Sequence, residues 1–311
     1  MEERKEYQDF CKEMQVMVKD KFEDSVRVEI HKVVKNNATE LDSMVILAED
    51  RGISPNFYLN LYYEEYCQGK DMQMLAEQIY EIYIATVKQE QVPMLDPSFE
   101  ACEDKITFRL VSYEKNKEMF QTIPYIRFLD IAVVFYIIVR NEDDGIGSVK
   151  ISQRWLDEWN MTAPEVFSLA RENTRRLFPE RICSMHSMLK QLLQEKENEW
   201  AALEETLYAD MESKQVTDPY VITNSNGING ASVILYPDTL KTVGNVFGED
   251  YYLLPSSIHE FLAIPEHAVG SEEELYEMVQ EANEQFVSRE EFLSGSVYWY
   301  ECATETIKIR K

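Results

Sequence analysis

Apolar residues at positions 10, 14, 17 and 18 (Phe10, Met14, Met17, Val18) recur at helical spacing and predict an amphipathic helix over about residues 2–21. The period then changes. From Ser25 to Val34, Val26, Val28 and Ile30 alternate with Arg27, Glu29 and His31, the pattern of a half-buried strand. Asp42 to Leu47 and Ile53 to Leu59 predict two further strands around a turn at Asp50-Arg51-Gly52. A stripe of Met72, Leu75, Ile79, Ile82 and Tyr83 marks a helix from Asp71 to Lys88. Three strands flanked by helices make a small α+β layer. Gln89 to Pro97, with Pro93 and Pro97, reads as a connector.

Beyond it, Lys105 to Ser112 alternates like a strand and Tyr113 to Phe120 predicts a short helix. Ile126 to Val139 is the most apolar stretch, a central strand with a buried helix as the alternative. The turn Asp143-Asp144-Gly145 leads into Ser148 to Ile151 and predicts a hairpin. Thr162 and Glu165 have capping-box spacing at the start of a helix, and Ile182, Met185, Leu189 and Leu192 predict another from Glu180 to Glu197. Glu195 to Glu212, rich in acids, reads as a helix end and mobile connector. Strands are expected at Tyr220–Thr223 and Ala231–Tyr236, then a helix through Gly244, then a hairpin from Tyr251 to Ile264 pivoting on Pro255-Ser256-Ser257. A last helix starts at Ser271, with Leu275, Met278, Val279 and Phe286 on one side, and Ser296 to Glu301 is a final strand. The fold class is α+β: mixed, mainly antiparallel sheets with flanking helices. Two subdomains are expected, 1–90 and 98–311, with one continuous body as the alternative.

The charge balance narrows the partners. Fifty-seven acids against 31 bases give a net charge of −26, which repels phosphate backbones and anionic membranes, so no direct nucleic-acid binding and no membrane association are expected. The longest apolar run, Ile131 to Val139, is far shorter than a spanning helix requires. Cys11, Cys67, Cys102, Cys183 and Cys302 are scattered, odd in number and free of CxxC pairs, which points to reduced thiols and a cytoplasmic setting. The opening Met1-Glu2-Glu3-Arg4-Lys5 is not the start of a secretory leader. His31, His186 and His267 lack ligand spacing, so neither metal nor cofactor is expected.

No Walker loop, GxGxxG, HExxH or GxSxG occurs. The densest chemistry lies in Leu254 to Glu260 (LPSSIHE). There His259 could serve as general base, Glu260 could orient it and Ser256 could act as nucleophile; Ser257 is a binding candidate, and Asp130, before the apolar run, is a further catalytic candidate. The bland reading of the segment is a Pro-Ser-Ser turn with a hydrogen-bonded histidine. Asn224 to Gly230 (NSNGING) offers Asn229 and backbone N–H groups to an anion or carbonyl, although Asn-Gly is first a turn. Asn36 and Asn37, and Asn173 ahead of Arg175 and Arg176, complete the binding candidates. For Asp130 the structural alternative is an ion pair with Arg127, and for Arg175-Arg176 the cationic end of a helix.

On these residues the chain resembles a family. Lys35-Asn-Asn37 with Glu40-Leu-Asp42, Ile53-Ser-Pro55 with Tyr58-Leu-Asn60, Ile126 to Asp130, Glu172-Asn-Thr174, Asn229-Gly-Ala231 and Leu254 to Glu260 look like a family of unknown function from anaerobic gut clostridia, nearly end to end. The resemblance implies a bacterial cytoplasmic protein and transfers no catalytic residue. Three functional readings follow. The first is a noncatalytic binding or regulatory protein with a protein or small-molecule partner; the second is a hydrolase or transferase centred on His259 and Glu260. The third is an acidic decoy for a basic nucleic-acid-binding protein.

Overall fold

Phe10, Met14 and Val18 fall one turn apart, and helix α1 (Tyr7–Lys19) buries all three. In the computed structural model the described residues are 6–48, 55–89, 96–142, 145–188 and 218–310. The chain divides into two compact units, Met1–Asp96 and Pro97–Lys311.

In the N-terminal unit β1 (Arg27–Val34) pairs antiparallel with β2 (Glu40–Leu47), from Arg27 opposite Leu47 to Val34 opposite Glu40. The turn between them places Asn37 (φ 57°) and Ala38 (φ 52°) in the left-handed region. The strand expected over Ile53–Leu59 is corrected. Only β3 (Phe57–Tyr58) pairs with β2, and helix α2 (Leu59–Cys67) starts directly after it. The reason is a stripe that the aromatic content disguised: Leu59, Tyr62, Tyr63 and Tyr66 fall at i, i+3, i+4 and i+7, and all four pack into the core. The turn expected at Asp50–Gly52 lies outside the described residues. Helix α3 (Met72–Gln89) adds Leu75, Ile79 and Tyr83, so three helices and a three-stranded sheet of order β1-β2-β3 enclose one core.

The C-terminal unit holds two antiparallel sheets. The first contains β4 (Ile106–Ser112), β5 (Tyr125–Phe128), β6 (Ile131–Glu142) and β7 (Gly145–Lys150), with β6 central. The single strand expected over Ile126–Val139 is therefore split. Phe128 pairs with Ile131, so Leu129 and Asp130 form a two-residue turn in which Leu129 has φ 56°. The short helix expected at Tyr113–Phe120 is instead two 3₁₀ turns, Glu114–Asn116 and Met119–Gln121. Helices α4 (Phe99–Cys102), α5 (Gln153–Trp159) and α6 (Ala163–Leu177) belong with this part of the chain. At the start of α6 the Thr162 N–H donates to Glu165 Oε2 at 2.8 Å, the reciprocal half of a capping box.

The second sheet runs β13-β12-β10-β11-β9-β8. Its strands are β8 (Glu180–Ser184), β9 (Tyr220–Asn224), β10 (Tyr251–Ser257), β11 (Glu260–Pro265), β12 (Tyr298–Glu301) and β13 (Thr306–Ile309). Here the helix expected from Glu180 is overturned: Glu180 to Ser184 pair residue by residue with Asn224 to Tyr220, and a cross-strand partner outweighs a helical period. Most of that expected helix, and the connector at 195–212, lie outside the described residues. The strand expected at Ala231–Tyr236 is a 3₁₀ segment, Gly230–Leu235, and the final strand has an unforeseen neighbour in β13. Helix α7 (Thr239–Phe247) follows, and α8 (Glu272–Gln285) is capped by Ser271 Oγ, which accepts the Glu274 N–H at 3.2 Å. Leu275 and Val279 of α8 are buried against Tyr252, Leu254 and Trp299, whereas Met278 and Phe286, expected on the same side, are 51% and 81% exposed. Among the described residues no helix is long and apolar enough to cross a membrane.

Candidate functional site

The β10–β11 hairpin does not pivot on Pro255–Ser257. Those residues hold a register shift, and the reversal falls at Ile258–His259, because Ser257 pairs directly with Glu260. Ser257 Oγ accepts the His259 N–H at 3.0 Å and fixes this tip. Against the tip lies the segment from Asn224 to Ser232. Asn229 is left-handed (φ 53°), and Gly230 approaches so closely that a β-carbon there would sit 2.1 Å from Thr223 Oγ1 and 2.4 Å from the His259 carbonyl oxygen. Thr223 Oγ1 donates to that carbonyl at 2.8 Å, and the Ala231 N–H donates to the Ile258 carbonyl.

The imidazole completes the junction. His259 Nδ1 accepts the Asn229 backbone N–H at 3.1 Å, and Nε2 faces Glu291 Oε1 at 3.4 Å. With the Nδ1 lone pair engaged, the ring proton lies on Nε2, toward the carboxylate. Of the predicted site, then, His259, Ser257 and Asn229 meet. Ser256 and Glu260 take no part in that network, and Glu291, absent from the sequence-based expectations, supplies the carboxylate expected of Glu260.

Asp130 is brought to different partners. Its carboxylate accepts hydroxyls from Ser294 at 2.6 Å, Ser296 at 2.9 Å and Tyr298. Tyr298 is 1% exposed, and burial followed by the Asp130 charge raises its phenol well above the ordinary value. The expected ion pair with Arg127 is corrected: that guanidinium stacks 4.2 Å over Tyr113 and donates from Nε to the Leu129 carbonyl. Asn173 ties α6 to the start of β4, its Nδ2 donating to the carbonyls of Glu103 (2.7 Å) and Ile106 (3.1 Å). Arg175 pairs with Glu180 through two hydrogen bonds, and Arg176 donates to the Asp104 carbonyl. Asn36 and Asn37 form the β1–β2 turn in the N-terminal unit, next to Lys35, whose ammonium lies 4.2 Å over Tyr58.

The Asn224–Ser232 segment also lines a cleft whose other wall is β4. Thr107, Phe108, Arg109, Ile146, Phe178 and Asn229 contribute to it, and it encloses about 10 Å³ of water-accessible space, room for roughly one water. Arg109 stands out. It is the only residue of β4 not fully buried, in a strand whose neighbours on both faces are core. Its guanidinium lies 4.0 Å over the Tyr136 ring and donates to Ser148 Oγ at 2.7 Å. Burial lowers its pKa below the ordinary arginine value and raises that of Tyr136. A legible signal existed: one cation inside the apolar run Ile106 to Ser112, where charge is expensive unless it has a task. Among the described residues no group of three His, Cys, Asp or Glu side chains is placed to hold a metal ion.

The molecule is thus an α+β protein whose C-terminal unit joins a braced hairpin to a small polar cleft with one buried cation. The chain belongs to a family of unknown function, DUF5688, whose model matches residues 7–302. No curated protein and no solved structure matches the chain.

Proposed function

We propose that the protein is a noncatalytic binding protein of the bacterial cytoplasm, with the β4 cleft of its C-terminal unit as the ligand seat. The observation that carries this reading is the employment of the reactive side chains. His259 engages both ring nitrogens, Asp130 accepts three hydroxyls and Asn173 bridges two carbonyls, so each is consumed in holding elements together. The cleft beside Asn229 is where a polar wall meets open space. The cytoplasmic setting is supported by five free cysteines and by the charge of −26. The test pairs a panel of ester, amide, phosphoester and glycoside substrates with H259A and E260A. Turnover is expected from none of the three proteins. Turnover by the wild type that vanishes in either variant, with circular dichroism unchanged, would replace this reading with the hydrolase.

A further inference from the structure

Arg109 has five N–H donors and makes one hydrogen bond among the described residues, to Ser148 Oγ. Its second contact is the Tyr136 face, which attracts a cation but accepts no strong hydrogen bond. No described carboxylate pairs with it, in a chain that carries 57 acidic residues. Isolation of one guanidinium from so many acids leaves a positive charge in a poorly solvated place with no counter-charge.

The other polar groups of the cleft are already committed. Thr107 Oγ1 donates to the Tyr136 carbonyl, Thr174 Oγ1 to the Ala170 carbonyl and Ser232 Oγ to the Asn229 carbonyl. Asn224 donates through Nδ2 to the Ile228 carbonyl and accepts the Asn226 N–H at Oδ1. The guanidinium is therefore the donor that remains for a ligand.

We propose that the Arg109 cleft binds the carboxylate of a small organic acid. This rests on the binding-protein reading above and names the ligand class. A planar two-oxygen group matches the fork of a guanidinium, which a compact monatomic ion does not. Enclosed space of about 10 Å³ excludes the four oxygens of sulfate or phosphate, since it holds roughly one water. Phe108, Ile146, Phe178 and the exposed Ile228 give the cleft apolar walls for a short hydrocarbon body.

The experiment titrates the full chain with formate, acetate, propionate and butyrate, and with chloride, sulfate and phosphate at matched ionic strength, following thermal unfolding by tryptophan fluorescence. A monocarboxylate is expected to raise Tm saturably, by about 5–10 °C at a hundredfold excess over its Kd. R109Q should abolish the rise, and R109K should weaken binding about tenfold by losing the fork. Should R109Q fail to fold, the Arg109 Nε–H resonance of the wild type gives the second reading and should shift on titration with the same acid. The proposal is overturned if no carboxylate stabilises the protein, if R109Q responds as the wild type does, or if sulfate or phosphate acts at lower concentration. Those outcomes leave the noncatalytic reading standing, because that reading falls only to turnover.

Discussion

Replacement of Asp130 by alanine separates a clasp from a catalytic acid. The side chain accepts three hydroxyls from residues 294, 296 and 298, so D130A removes three hydrogen bonds to a charged acceptor. Each such bond contributes roughly 1.5–3 kcal/mol, and three on one carboxylate are not additive. The larger effect is on Tyr298, whose hydroxyl is left in the core at 1% exposure with its strongest partner gone. The combined loss is expected to be about 3–5 kcal/mol. D130N keeps one carbonyl acceptor and should lose roughly half of that. Because all four tryptophans, Trp155, Trp159, Trp200 and Trp299, lie beyond residue 97, tryptophan fluorescence in urea isolates the C-terminal unit from the other. A cycle of D130A with Y298F should show a coupling of about 1–2 kcal/mol. If D130A costs less than about 0.5 kcal/mol, the level of an ordinary surface change, or the cycle shows no coupling, the clasp is not what holds this corner.

The junction behind His259 gives another test: G230A places a methyl against Thr223 Oγ1, the His259 carbonyl and the Asn224 nitrogen, two of them backbone atoms that cannot swing aside. It is expected to cost about 3 kcal/mol or more, against roughly 1 kcal/mol for G227A, where a methyl meets open space and only the positive φ of 67° is strained; equal losses in urea titrations would show that the approach is not tight. Glu180 has a depressed pKa, first through its hydrogen bond from Arg175, so the pair contributes stability above the unfolded carboxyl value and loses it as pH falls through the folded one. With Arg175 43% and Glu180 25% exposed, the contribution is a fraction of about 1 kcal/mol. R175A should therefore match the wild type's stability near pH 3 and fall below it near neutrality, and an identical deficit at both would sink the assignment.

Local chemistry was readable from the chain where a segment's burial has one period. The α1 stripe, the alternation of β1, the cap at Thr162 and Glu165 and the cap at Ser271 depend on residues a few positions apart, and each formed as its spacing requires. Segments buried from several directions carry no such period. Gly230 to Ile234 are all buried, so alternation could not reveal that they form a 3₁₀ segment packed beneath the hairpin. Glu180 to Ser184 followed a partner about 40 positions away, a preference invisible in the strand's own residues. The apolar run broke at Leu129 because Asp130 has hydroxyls to bind 164 to 168 positions later, and no local pattern records them. The same limit divides the sites. The composition of Leu254 to Glu260 marked the hairpin tip, but only the tertiary structure decided that His259 braces Asn229 and that Glu291, not Glu260, faces it. The cation in β4 was written in the sequence; its isolation was decided by which surfaces the two sheets of the C-terminal unit brought around it, since a charge finds or lacks a partner only in three dimensions.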